Sequence, residues 1–314
     1  MIEAGGLTKR YGPTVAVSDL SFTVRPGMVT GFLGPNGAGK TTTLRMILGL
    51  DRPTAGIVTL GGLRCASLNW PMREVGALLD AKALHGGRSA HSHLLSMAQT
   101  NGIPRRRVDE VLNVVGLSDV AGKRAKGFSL GMSQRLGIAG ALLGDPQILI
   151  FDEPVNGLDP EGIAWIRTLM RSLAAEGRTV LVSSHLMSEM ENTADHLLVI
   201  GRGRLIADCG MAEFLDSASV QSVRVRTPQA AALAAAVTAG GGTVSAASGD
   251  QIEMRGLTED QVAEIAFANG VRVQHLAAGK ASLEQAFMEL TAESVEYHAG
   301  VPDDRHPARN GTEA

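Results

Sequence analysis

The sequence predicts an α/β fold: a parallel sheet covered by helices, interrupted by a helical insertion and followed by a small C-terminal α+β unit. Three observations point there. Short apolar runs alternate with helical patterns over the first two thirds of the 314-residue chain, as in strands joined by crossover helices. Residues from about Ala81 to Leu143 carry no comparable strand and read as helical. After about Asp216 the texture changes to short alternating strands and capped helices. The expected units are residues 1–215, with a helical subdomain over about 81–143, then residues 216–296, and a disordered tail over 297–314.

Val29–Leu33, Ile148–Phe151 and Thr179–Ser183 are the buried strands of the core. Each is short, β-branched or aromatic, and followed by polar chemistry. A helix pattern follows the first of them through Leu44, Met46, Ile47 and Leu50. Beyond residue 216, Ser222–Arg226 alternates as a strand. Thr227-Pro228 then opens an Ala-rich helix, with Thr as cap and Pro at the first position. Strands near Thr243–Ala246 and Gln251–Arg255 follow. Thr258-Glu259-Asp260-Gln261 is a capping box for a helix to about Asn269, and Val271–His275 reads as a strand. Ser282-Leu283-Glu284-Gln285 caps a last helix. The order β-α-β-β-α-β-α is compatible with a ferredoxin-like unit.

Composition bounds the partners. Hydrophobic residues make up 44% of the chain and charged residues 19%, enough to bury a core. A net charge of −3 supplies no whole-protein field for nucleic acid, and none is expected as a partner. No apolar run approaches the roughly 18–20 residues that span a bilayer, and Met1–Gly6 lacks the pattern of a signal peptide. If the protein serves a membrane, another chain does the spanning. Cys65 and Cys209 show neither metal spacing nor a disulfide framework. His85, His91 and His93 read as exposed loop residues without acids or cysteines at ligand spacing, and Arg105-Arg106-Arg107 as a solvated face.

Two stretches carry chemistry. Gly34-Pro35-Asn36-Gly37-Ala38-Gly39-Lys40-Thr41-Thr42 fits G-x-x-x-x-G-K-[ST] between a strand and a helix. Its glycines let successive N–H groups turn toward a phosphate, and the helix dipole adds to that field. Lys40 is placed to reach the β- and γ-phosphates, and the Thr41 hydroxyl to bind Mg²⁺. The second stretch, Ile148-Leu149-Ile150-Phe151-Asp152-Glu153, is an apolar strand ending in two acids at the sheet edge where ligands gather. Neighbouring strand residues face opposite ways, which suits two jobs. Asp152 is the candidate for the Mg²⁺ sphere, and Glu153 for polarising the attacking water.

With those two stretches in order, residues 2–215 resemble the ATP-binding subunit of an ABC transporter, a P-loop NTPase core with an antiparallel β portion and an inserted helical subdomain. Phe128–Leu136 resembles the family signature, usually LSGGQ followed by x-Q-R, with Leu130 and Met132 in place of Gly and Gln. Asn156-Gly157-Leu158-Asp159-Pro160 is similar to the D-loop, and His185 in Val182-Ser183-Ser184-His185 to the switch histidine. Tyr11 sits where the family stacks an aromatic on adenine. Where the family generally carries a Q-loop glutamine, this chain reads Ala77-Leu78-Leu79-Asp80. Asp80 is thus a further candidate for the metal or the water, its plainer role being the start of a helix.

The resemblance implies a pair of identical subunits with ATP and Mg²⁺. Tyr11 and Gly34–Thr42 of one subunit would hold ATP, with the metal at Thr41 and Asp152. Ser129, Leu130, Gly131 and Met132 of the other would close on the γ-phosphate, and the D-loop residues Gly157, Leu158 and Asp159 would line the junction. Glu153 and His185 would place the water. A separate integral-membrane permease would hold the subunit at the cytoplasmic face of the membrane. The altered signature and the extra C-terminal unit resemble the branch that exports antibiotics and confers lantibiotic immunity, so an antibiotic, peptide or other hydrophobic compound is the expected cargo. The competing expectation is a non-transport ATPase of the same family acting on ribosomes or DNA. It fits less well, because the chain has one set of motifs, no heptad arm and no basic stripe.

Overall fold

The structure, a computed structural model, describes residues 1–218, 222–279 and 287. β1 (Ile2–Tyr11) and β2 (Thr14–Val24) form an antiparallel hairpin. β3 (Val29–Leu33) is buried at all its positions, as an interior strand must be, and runs into the glycine loop and α1 (Lys40–Ile47). β4 (Ala55–Leu60) pairs with the free edge of β1, giving an antiparallel sheet of order β2-β1-β4. A single turn, α2 (Pro71–Glu74), leads to β5 (Val75–Leu78).

Three helices precede the next strand: α3 (Ala90–Thr100), α4 (Arg106–Val114) and α5 (Leu130–Leu142). The caps come from the sequence. Ser89 accepts from the Ser92 N–H at the start of α3, and Ser129 from the Met132 N–H at the start of α5. β6 (Ile148–Asp152) then leads to α6 (Pro160–Ala175), capped by Asp159 with Pro160 in its first turn. β7 (Thr179–Ser184), α7 (Met187–Glu191), β8 (His196–Gly201) and β9 (Arg204–Gly210) complete the second sheet. Its order is β5-β6-β7-β3-β8-β9, parallel except for β9. Alternation divides its side chains: Leu149, Phe151, Val180 and Val182 join the core with the helices, while Ile148, Ile150 and Leu181 join the core under the antiparallel sheet.

After α8 (Met211–Ala218) come β10 (Ser222–Arg226), α9 (Ala230–Ala239), β11 (Thr243–Ser248), β12 (Gln251–Arg255), α10 (Glu259–Ala268) and β13 (His275–Gly279). They form an antiparallel sheet of order β11-β12-β10-β13, a split β-α-β arrangement. Val223, Val225, Leu233, Ile252 and Val262 share its core.

The α/β class, the three core strands and the antiparallel portion match expectation, and four local readings do not. The strand expected over 271–275 starts only at His275. Val271 instead sinks into the C-terminal core after α10, and the Gln274 N–H bonds the Arg226 carbonyl. Tertiary pairing thus selects an Ala- and Gly-containing strand over the β-branched run before it. The Thr227 hydroxyl accepts from the Gln229 N–H in a turn, so the Ala-rich helix begins at Ala230 rather than at Pro228. His85 lies in a turn, but His91 and His93 are half-buried on α3, because Ser89 starts the helix ahead of them. Asp80 follows a strand, β5, rather than starting a helix. The helix expected from Ser282 lies outside the described residues, save for Phe287, which is buried in the first core.

Candidate functional site

The three central strands end on one side, and their C-terminal ends bring the predicted groups together. β3 delivers the glycine loop, β6 delivers Asp152 and Glu153, and β7 delivers Ser183, Ser184 and His185. A pocket of about 200 Å³ is lined by Ala16, by Pro35 to Thr42 and by Glu153. Gly39, the cap of α1, has φ +99°, and a Cβ there would stand 2.6 Å from the Ala16 carbonyl oxygen. Only glycine lets the loop curl this closely against β2.

Lys40 is 5% exposed. Its ammonium donates to the carbonyls of Gly34 (2.5 Å) and Pro35 (3.2 Å) and lies 3.9 Å from Glu153 Oε1. Burial pushes its pKa down from the usual lysine range, and the Glu153 and Asp152 carboxylates push it back up. The Thr41 hydroxyl donates to Asp152 Oδ2 at 2.8 Å, and the Ser183 hydroxyl donates to the other carboxylate oxygen.

Glu153 is held by every group it offers. Its N–H lies 3.0 Å from Ser183 Oγ and 3.3 Å from the Ser183 carbonyl, and Asn156 N–H and Gln134 Nε2 both donate to its own carbonyl at 3.3 Å. Carboxylate oxygen Oε2 accepts from Asn156 Nδ2 at 2.7 Å and meets His185 Nδ1 at 2.8 Å. Its φ of +49° places it in the left-handed region, which costs a non-glycine residue about 1–3 kcal/mol. Strand alternation therefore does not separate the two acids. β6 stops at Asp152, and the backbone reverses hand at Glu153, turning its carboxylate toward Lys40 and His185.

Tyr11 stands beyond the pocket lining, 48% exposed. Its hydroxyl donates to Asp51 Oδ2 at 2.9 Å, an oxygen that also takes Arg45 Nε at 2.8 Å, and Lys9 Nζ lies 4.9 Å from its ring centre. The Arg45 guanidinium holds the Asp51 carboxyl below the usual carboxylate range. Asp80 is exposed, and its Oδ1 accepts from the Lys82 N–H at 2.7 Å. Among the described residues it makes no hydrogen bond or ion pair with Thr41 or Asp152.

Ser129, Leu130, Gly131 and Met132 do not line the pocket of their own chain. Leu130 and Gly131 pack instead on the segment before α6. A Cβ at Gly157 would fall 2.2 Å from Leu130 Cδ2, and one at Gly131 would fall 3.2 Å from the Gly157 carbonyl oxygen. Leu158 is half-buried beside them, and Asp159 accepts from the Gly162 N–H at 2.8 Å. Arg135 bonds the Val115 carbonyl at 3.1 Å and lies 4.5 Å from the Trp165 ring centre, tying α5 to α4 and α6.

Four groups here had no role assigned from sequence: Ser183, which bridges the two acids; Asn156; Gln134; and Asp51 beneath Tyr11. Asn156, Gln134 and Ser183 lie inside the motif stretches, and that placement was the available signal. Asp51 offered none.

Residues 17–156 match the ABC transporter family, and residues 221–284 match a domain of unknown function. The chain is 37% identical over 300 residues to an uncharacterized ABC transporter ATP-binding protein of Bacillus subtilis, covering 94% of this chain and 97% of that one. It is 44% identical over 211 residues to the bacitracin transport ATP-binding protein of Bacillus licheniformis, covering 66% and 69%. A lantibiotic transport ATP-binding protein of Streptococcus pyogenes is 35% identical over 208 residues, covering 66% and 90%. Among solved structures, an ATP-binding subunit of an ABC transporter superposes with a TM-score of 0.63 at 28% identity, over 69% of this chain and 92% of that one.

Proposed function

The chain belongs to the ABC transporter ATP-binding family, and on that premise we propose that it is one of two identical ATPase subunits driving a separate membrane permease. ATP binding and hydrolysis are the family's chemistry. The bacitracin and lantibiotic relatives support export of an antibiotic, peptide or other hydrophobic compound. The same relatives weigh against action on ribosomes or DNA. Among the described residues no helix is long and apolar enough to cross a membrane; in this reading the permease is a second chain, as the sequence resemblance implies, and it holds this one at the cytoplasmic face. We assign the ATPase work to residues 1–215, with 81–143 as the helical subdomain, and a small C-terminal unit to 216–296, from which Phe287 packs into the core of the first.

Tyr11 supplies the adenine platform, and Gly34 to Thr42 supply the phosphate cradle. Lys40 leaves the loop carbonyls for the β- and γ-phosphates. The Thr41 and Asp152 oxygens, 2.8 Å apart, are spaced about as an octahedral edge of a cation with ligands at roughly 2.1 Å, and they would hold Mg²⁺. That ion would draw charge from the phosphates during transfer. Glu153 takes the proton of the attacking water, and His185 fixes the carboxylate that does so. Ser129 and Gly131 close on the nucleotide of the partner subunit, with Leu130, Met132 and the Gly157–Asp159 segment shaping that contact. Catalysis is then positioning and charge stabilisation.

The observation that carries this reading is the Glu153 carboxylate, clamped between Asn156 and His185 and 3.9 Å from Lys40. Glu153→Gln keeps the hydrogen bonds but removes the base. It should abolish turnover and trap an ATP-bound dimer on gel filtration; hydrolysis at the wild-type rate would remove Glu153 from this role.

A further inference from the structure

We propose that Gln134 is a positioning residue for hydrolysis, joining the helix that presents the signature to the backbone of Glu153. The inference rests on Glu153 acting as the base and on Ser129 acting across the subunit pair.

Gln134 is 3% exposed, on a helix whose buried neighbours Leu136, Ile138 and Ala139 are apolar. A buried amide in such company is costly unless bonded. Its Nε2 donates to the Glu153 carbonyl at 3.3 Å. The other side of that residue is fixed to β7, through Ser183. Glu153 has the left-handed φ of +49°, a conformation that persists only where surrounding groups over-determine it. Gln134 is the group that comes from α5.

Ser129 caps the same helix a turn and a half earlier. A shift of α5 as Ser129 meets the partner's nucleotide is therefore delivered, through one amide, to the carbonyl of Glu153. The side chain of Glu153 swings with its backbone, so Gln134 ties closure of the pair to placement of the base. None of the groups that hold ATP in the same chain lies on α5, so binding and hydrolysis respond differently to its loss.

The test uses the full chain. Gln134→Leu keeps the volume and removes the donor, and Gln134→Glu keeps the shape and offers only acceptors. Both should lower kcat about ten- to a hundredfold, the scale of a misplaced catalytic group, with KM for ATP within about twofold of wild type. In the Glu153→Gln background, Gln134→Leu should still give the ATP-trapped dimer. A kcat within twofold of wild type would overturn the proposal. So would a joint loss of kcat, ATP affinity and dimer, which marks a residue that only maintains the fold. Should Gln134→Leu not purify folded, Gln134→Met is measured against the same two limits. If Glu153→Gln itself turns over normally, the underlying reading fails, whatever Gln134 does.

Discussion

The contact between Leu130 and Gly157 joins the start of α5 to the segment before α6, and its energy can be worked out before measurement. Gly157 has φ +78°, so an alanine there pays the left-handed penalty, about 1–2 kcal/mol. Its Cβ would also stand 2.2 Å from Leu130 Cδ2 and 2.4 Å from Cγ, so the leucine must leave. Leu130 is 46% exposed already, and it forfeits about half the value of a buried leucine, roughly 1 kcal/mol. Gly157→Ala should therefore cost about 2–3 kcal/mol and Leu130→Ala about 1 kcal/mol. The contact can be lost only once, so the double variant should cost about as much as Gly157→Ala alone, a coupling of roughly 1 kcal/mol. Urea unfolding followed by tryptophan fluorescence reads this, because Trp165 lies on α6, just beyond Gly157. Additive costs would refute the contact, and a neutral Gly157→Ala would refute the left-handed geometry as well.

Two further outcomes follow from the site and the helices. Ser129→Arg and Lys40→Ala should each be inactive alone, yet a one-to-one mixture should recover about a quarter of wild-type turnover, since half of the pairs then carry one intact composite site; no recovery in pairs shown to exchange would rule out action across subunits. His93 concerns acid stability. Its pKa is lowered by burial first, then by Arg88 and His85, so the unfolded chain takes up the proton first as pH falls below about 6.5. Stability contributed by neutral His93 is complete above that pH and is lost as pH drops toward the folded pKa. The drop in urea midpoint between pH 7.5 and 5.5 should therefore be smaller in His93→Gln than in wild type, and an equal or larger drop would contradict the assignment.

How much was legible in the sequence depended on whether the deciding physics was local. β3, β6 and β7 were legible because strands buried on both faces read as short, mostly apolar runs. The glycine loop was legible because phosphate binding fixes its spacing. β5 was not, since Val75–Leu78 is four residues long and earns its place by pairing with β6. β13 was hidden for the same reason, as Ala277, Ala278 and Gly279 have little intrinsic strand preference. At the site, the identities of Asp152 and Glu153 were readable, but the reversal of hand between them was not. That reversal depends on Ser183, distant in sequence, and on Gln134.

The sheet order carries a consequence for the making of the protein. β3 lies between β7 and β8, and Val29 pairs with Val180, about 150 residues later in the chain. Its strongly apolar strand therefore leaves the ribosome with neither neighbour yet made. At about 5–20 residues per second, the wait before β7 appears is on the order of 8–30 s. During that time Val29–Leu33 can pair only with wrong edges, its own copies on neighbouring nascent chains included. The phosphate loop that follows β3 is among the first functional segments synthesised, yet Gly34 lies against Ile200, so its contacts are completed only once β8 is made.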